Sequence, residues 1–211
     1  MAFKVDLHTH TRFGSNCSYT DPADLASRAG QIGLSGVCIT EHNAAWDDVQ
    51  LTALGTANGV VLFSGIEVST ELGDILVYGI GSLAGAGWRA ARLRRRVQAE
   101  GGYMVAAHPF RRFSWPGAWS VEEALASPVF RFVDAVEVFN GMNSPQELKL
   151  ALEIVPRLRL PGVGGSDSHA PHTVGRCYTE FQRPLRTTGD LLRELKAGRF
   201  RAVHALMDLT Y

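Results

Sequence analysis

The sequence predicts an α/β fold built on a mainly parallel sheet, open or closed into a barrel. Seven short apolar runs between residues 3 and 166 read as strands, and helical segments separate several of them. Glycine, proline and helix-capping residues fall at the joints between these runs. The strand-like runs also tend to end in His, Asp or Glu, which places chemistry on the face where the carboxyl ends of barrel strands converge. With 211 residues, 45% of them hydrophobic, the chain can bury a full core as one domain spanning residues 1–211.

The first strand is Phe3 to His10, where His8 and His10, two apart, point to the same side. Asp21 caps a helix that has Pro22 in its first turn and runs from Ala23 to Gln31; Gly33 and Gly36 end it before the strand Val37 to Thr40, closed by Glu41-His42. A weak helix from Trp46 to Leu54 follows, then strands Val60 to Val68 and Ile75 to Ile80. An arginine-rich helix from Trp88 to Glu100 stops at Gly101-Gly102. Strand Met104 to Ala107 leads to His108, and a short helix near Val121 to Ala126 precedes strand Ala135 to Phe139. Ser144 caps a helix from Pro145 to about Leu158, and Val163 to Ser166 is the seventh strand. Beyond it, Arg176 to Phe181 and Ala202 to Leu206 read as strands, and Thr188 to Ala197 as a helix with Leu191, Leu192 and Leu195 inward.

Lys plus Arg and Asp plus Glu both number 21, so no global basic field recruits nucleic acid or anionic lipid. No apolar run reaches the roughly 18 residues of a membrane span, and no basic start leads into an apolar leader, so the expectation is a soluble cytoplasmic protein. Three scattered cysteines, Cys17, Cys38 and Cys177, give neither a disulfide framework nor a CxxC metal site. Cys38 and Cys177 read as buried thiols. The five arginines between Arg89 and Arg96 surround their helix, which marks a solvated face with Leu93 and Val97 inward. Gly79-Ile-Gly81 resembles a dinucleotide fingerprint, but the glycine-rich loop to Gly87 separates it from any helix.

His8, His10, His42, Glu67, His108, Asp167 and His169 offer imidazole and carboxylate donors for two to three divalent ions, a mixture suited to Zn, Mn or Fe(II). Two such ions bridged by a carboxylate such as Glu67 form a common arrangement for phosphate ester hydrolysis. Taken in order, Asp-Leu-His8-Thr-His10-Thr, Ile-Thr-Glu41-His42-Asn43, Gly65-Ile-Glu67-Val, Ala-Ala-His108-Pro109-Phe110 and Gly-Ser-Asp167-Ser-His169 resemble the signature of the polymerase and histidinol phosphatase (PHP) family. That resemblance implies a distorted, TIM-barrel-like (β/α)7 barrel with a multinuclear metal site at the C-terminal strand ends and phosphoesterase activity. It implies that His8, His10, Glu67 and Asp167 hold one ion, Glu67 and His108 a second, and His42 and His169 a third. Two positions depart from the family pattern: Asn16 stands where many members have Asp or His, and Asp74 where many have His. The expectation is two firmly held ions and a weaker third, with Asp74 still a ligand.

The expected reaction is attack of a metal-bound hydroxide on the phosphorus of a small phosphorylated metabolite or nucleotide, with a nucleic-acid end ranking behind them. Arg111, Arg112, Asn140 and Arg176 are the candidate substrate contacts, and the three arginines are candidates to grip phosphoryl oxygens in two-pronged fashion. His42 or His169 could protonate the leaving group, provided that it is not itself bound to an ion. Glu137 reads as an outer partner that orients an imidazole. His172 reads as a loop residue, His204 as a packed one, and Phe113 to Trp119 as a rim of aromatic residues. The alternatives are an amidohydrolase-type hydrolase and a non-catalytic metal-bound regulatory domain.

Overall fold

The computed structural model describes residues 2–83, 87–111 and 120–211. Its frame is a ten-stranded sheet in the order β10-β9-β8-β1-β2-β3-β4-β5-β6-β7. In chain order the elements are β1 (Phe3–Thr9), α1 (Pro22–Gln31), β2 (Gly36–His42), α2 (Asp48–Asn58), β3 (Val61–Thr70), β4 (Gly73–Tyr78), α3 (Ala90–Ala99), β5 (Tyr103–Ala106), α4 (Val121–Leu125), β6 (Ala135–Asn140), α5 (Pro145–Leu158), β7 (Gly162–Gly165), β8 (Cys177–Phe181), α6 (Thr188–Lys196), β9 (Phe200–His204) and β10 (Leu209–Thr210).

The sheet is mixed rather than mainly parallel. Helical crossovers make β1, β2 and β3 parallel to one another, and β5, β6 and β7 likewise. Only two residues join β3 to β4, too few for a crossover, so β4 runs antiparallel to both β3 and β5. The strands β8, β9 and β10 extend the sheet beyond β1 in antiparallel fashion. Curling brings β7 back against β1 and β8: Asp167 N donates to His8 O at 2.8 Å, and Gly164 N donates to Thr179 Oγ1 at 2.9 Å. Gly164 permits this approach, since a Cβ there would lie 2.5 Å from the Tyr178 carbonyl oxygen. The result is the distorted barrel.

Inside the curl, Val5, Leu7, Phe63, Leu76, Tyr78, Val105 and Val163 pack together, and Leu191 and Leu195 of α6 close this core. Tyr78 donates across it to the Leu7 carbonyl at 2.8 Å. On the outside, Leu93 and Val97 of α3 lie on β3 and β4, α5 covers β6, and α1 and α2 cover β2. Asp21, Asp47, Ser144 and Thr187 cap their helices with side-chain oxygens, and the last two form reciprocal capping boxes with Glu147 and Asp190.

Several boundaries move from their sequence positions. The Asp47 cap starts α2 two residues after Trp46, and α3 starts at Ala90 because Trp88 bridges to Thr70. The last long strand is Phe200–His204, and Leu206 lies exposed in the turn that follows. Arg112 and the segment Phe113 to Trp119 lie outside the described residues. No helix among the described residues is long and apolar enough to cross a membrane.

Candidate metal centre

Strand polarity determines which residues meet. His8 and His10 come from the end of β1, His42 from the end of β2, Glu67 from β3, His108 from just beyond β5, and Asp167 and His169 from just beyond β7. Asp74 reaches the same face by another route. Because β4 is antiparallel, its first residues lie beside the last residues of β3, and Asp74 pairs with Ser69. A rule of carboxyl-terminal strand ends alone would have missed it.

At the centre is Glu67. Its carboxylate lies 3.5 Å from His8 Nε2, 3.3 Å from His10 Nε2, 3.0 Å from His42 Nδ1 and 3.0 Å from His108 Nε2. Asp167 Oδ1 is 3.5 Å from His8 Nε2 and 3.4 Å from His10 Nε2. Donor atoms converge in four overlapping groups, each within 4.8 Å: His10, His42 and His169; His8, His108 and Asp167; His8, His10 and Glu67; Glu67, Asp74 and His108. Such spacing suits ligands sharing an ion, and the nitrogen and carboxylate donors fit Zn, Mn or Fe(II). His10 thus stands beside His42 and His169, a grouping that differs from the expected division of ligands. Asn16 is exposed.

Outer partners set which nitrogen of each ring faces inward. His8 Nδ1 meets Glu137 Oε1 at 3.0 Å, His10 Nδ1 meets Ser15 Oγ at 3.1 Å, and His169 Nδ1 meets the Asp167 carbonyl at 2.9 Å. A proton on each Nδ1 leaves Nε2 as the free donor. Ser15 Oγ donates to Glu41 Oε2 at 2.5 Å, and Glu41 also accepts from the Thr11 hydroxyl and from Trp46 Nε1. The buried Asp6 accepts from Ser166 N at 2.8 Å, Gly175 N at 2.9 Å and His8 N at 3.2 Å, which ties β1 to the Asp167 loop, and burial pushes its carboxyl up to about 6. Backbone strain is concentrated here as well: His108 and Asp167 have φ of 29° and 52°, a region few non-glycine residues adopt.

Charge is coupled across the centre. Burial disfavours a cation on His8, but Asp167, Glu137 and Glu67 outweigh it and hold His8 well above the ordinary imidazole range. Burial likewise opposes the carboxylate of Glu67, yet the histidines around it hold it well below its usual value. His8 must lose its proton before its Nε2 can bind an ion, so apparent metal affinity will fall as pH is lowered. In the metal-free protein the raised His8 contributes stability below the ordinary imidazole value, and that stability is lost as pH rises through the higher folded value. Melting curves across pH, with and without chelator, check both signs: the stabilisation conferred by metal should grow with pH.

Of the candidate substrate residues, Arg111, Asn140 and Arg176 are among the described ones, and the first two lie against Asp167 of the centre. Arg111 Nη2 donates to Asp167 Oδ2 at 2.7 Å and to Asn140 Oδ1 at 3.3 Å, and Asn140 Nδ2 donates to Glu137 Oε2 at 2.9 Å. Arg176 is half-buried before β8 and makes no ion pair or side-chain hydrogen bond among the described residues. His172 is exposed, while His204 is buried with its ring edge on Phe139. Cys38 and Cys177 are buried. Sequence reasoning missed Ser15 and Glu41 as supports of the centre, and it missed Cys17, whose Sγ lies 3.3 Å from His42 Nε2. The only signal for Cys17 was its place one residue after Asn16.

A family described as PHP-associated matches residues 145–200. Over 150 residues the chain is 26% identical to an uncharacterised protein of Methanocaldococcus jannaschii, a stretch covering 66% of this chain and 83% of that one. Among solved structures it is similar to a two-domain protein from Bacteroides vulgatus containing a predicted PHP-like metal-dependent phosphoesterase. The TM-score is 0.72 and the identity 19%, over 96% of this chain and 64% of that one, so this chain spans less than two thirds of its length. An amidohydrolase from Chromobacterium violaceum superimposes with a TM-score of 0.65 at 17% identity, covering 93% of this chain and 96% of that one. The PHP-associated match over residues 145–200, the fold shared with these structures and the ordered ligand motifs gathered on one face are the likenesses this chain has to PHP-domain proteins.

Proposed function

We propose that this protein is a metal-dependent phosphoesterase acting on a small phosphorylated metabolite or nucleotide. The observation that carries this reading is a carboxylate, Glu67, within 3.5 Å of four imidazoles, on a face that also carries Arg111 and Arg176. Two to three divalent ions, when bound, supply an activated water and offset the charge that develops on phosphoryl oxygens.

The chain's own residues do the rest. Arg111, now paired with Asp167, has a phosphoryl oxygen as its alternative anionic partner, and the half-buried Arg176 is available to a second. Asn140 holds the Arg111 guanidinium and so sets its direction. His42 and His169 are the ligand-type imidazoles open to solvent, with side chains 39% and 30% exposed, so either one left outside an ion's coordination can protonate the leaving group. A cavity of about 270 Å³ lined by Asp74, His108, Arg111, Leu72, Pro109 and Val129 gives the rest of a small substrate a largely apolar berth.

The amidohydrolase-like neighbour favours a second reading, hydrolysis of a carbon-centred bond, for which the same ions would polarise a carbonyl. Metal-stripped protein refilled separately with Mn, Zn, Fe(II) and Mg separates the two readings, assayed on aryl phosphate mono- and diesters and on a neutral aryl amide. Return of phosphate ester hydrolysis with metal, its loss in His10→Ala, and a KM raised about tenfold or more in Arg176→Ala are the expected results. Activity on the amide alone, unaffected by Arg176→Ala, would overturn the phosphorus chemistry.

A further inference from the structure

We infer that Glu41 is a positioning residue of the metal centre: through Ser15 it fixes the His10 proton on Nδ1 and so keeps His10 Nε2 open to an ion. This inference rests on the metal-centre reading but not on the phosphorus chemistry.

Glu41 is the last residue but one of β2, and strand alternation turns it away from the side that His42 faces. Among the described residues it joins none of the four donor groups. Its carboxylate is nevertheless buried, and the groups bonded to it are all donors: Thr11 N at 3.2 Å, the Thr11 hydroxyl, Trp46 Nε1 at 3.1 Å and Ser15 Oγ at 2.5 Å. The loop after β1 is shaped to admit it, since a Cβ on Gly14 would lie 2.5 Å from Glu41 Cγ.

Ser15 carries the effect inward. A hydroxyl has one proton to give and two lone pairs with which to accept. Ser15 Oγ gives its proton to Glu41 and faces two nitrogens, His42 N at 3.3 Å and His10 Nδ1 at 3.1 Å. The backbone N–H of His42 can only donate. His10 Nδ1 has no proton to receive from Ser15, so it too must donate, and the neutral ring is left with its lone pair on Nε2. That nitrogen is the inward one: it lies 3.3 Å from Glu67 Oε2, 3.4 Å from Asp167 Oδ1 and 3.1 Å from His8 Nε2. His10, Ser15 and Glu41 are each no more than 1% exposed, so bulk water does not compete for these bonds. Glu41 thus does for His10 what Glu137 does for His8, with one hydroxyl between.

The test reads the imidazole nitrogens of metal-stripped, isotope-labelled full-length protein by NMR, at a pH above the ordinary imidazole range, and measures Zn affinity by titration calorimetry. The His10 signals are assigned from their loss in His10→Gln. Wild-type His10 should carry its proton on Nδ1. Glu41→Gln keeps the shape of the side chain; its one oxygen goes to the Thr11 and Trp46 donors, and its NH2 faces Ser15 Oγ. Ser15 must then give its proton to His10 Nδ1, so the His10 proton should move to Nε2 and Zn affinity should fall roughly 10–100-fold. In Ser15→Ala the link is cut, and adding Glu41→Gln should weaken Zn binding by less than about twofold more. A proton on Nε2 of wild-type His10, or an equal loss from Glu41→Gln with and without Ser15, would overturn the inference and leave the metal centre intact. Wild type that binds no Zn would overturn the metal-centre reading and this inference with it.

Discussion

Glu67→Gln should abolish hydrolysis and strip the centre of metal, with turnover falling by far more than the roughly 10–100-fold typical of losing an outer partner of a metal ligand. Glutamine preserves the shape of the side chain, so the fold should persist; what changes is charge and donor capacity. Among the described residues Glu67 is the one group within reach of His8, His10, His42 and His108 together, and it belongs to two of the donor groups. An amide in its place offers one acceptor where two are needed and turns an N–H toward at least one imidazole. Elemental analysis of the purified variant should show the ion count reduced along with activity. Retention of full metal content with activity lost would instead confine Glu67 to proton transfer, and a variant active at the wild-type level would remove it from the centre.

The same substitution predicts a change in the metal-free protein. His8 keeps its proton because Asp167, Glu137 and Glu67 outweigh the cost of burial. With one of the three neutralised, the pH at which His8 gives up its proton should fall. An NMR titration of the imidazole signals in chelator-treated wild type and variant reads this shift independently of any assay of turnover.

How much of this was legible in the sequence depends on how local the physics is. The spacing of His8 and His10 places both on one side of a strand, and their Nε2 atoms meet at 3.1 Å. Capping residues and proline placed α1 and α5 closely, because a cap is a contact within a few residues of chain. The polarity of β4 was less legible: its apolar run looks the same in either direction, and only the two-residue connection from β3 determines that Asp74 arrives at the site from the start of its strand. The supports of the ligands were hardly legible at all. Glu41 acts through Thr11, Ser15 and Trp46, so its role arises from contacts that no periodicity encodes. Glu137 was the exception, since it precedes Asn140 on a strand already assigned to the active face.

Glu137 therefore gives the sharpest test of the outer layer. It is fully buried and accepts three hydrogen bonds: from His8 Nδ1 at 3.0 Å, from His108 N at 2.8 Å and from Asn140 Nδ2 at 2.9 Å. Gly165 makes room for it, because a Cβ there would lie 2.9 Å from Glu137 Oε1 and 2.5 Å from His8 Cβ. In Glu137→Gln the single remaining oxygen should take the position that serves two donors, His108 N and Asn140 Nδ2. The amide NH2 then faces His8 Nδ1, which can only accept it by giving up its proton. That drives the His8 proton to Nε2, the nitrogen turned toward Glu67 and Asp167, and so blocks the donor an ion needs. Metal affinity should fall roughly 10–100-fold in Glu137→Gln. The metal-free Glu137→Ala protein should in addition lose about 3–5 kcal/mol of stability, because it removes one partner of a buried charged pair and leaves the other uncompensated. Isothermal titration with Zn and chemical denaturation of both variants distinguish these effects. Wild-type metal affinity in Glu137→Gln would show that the tautomer of His8 is set by something other than Glu137.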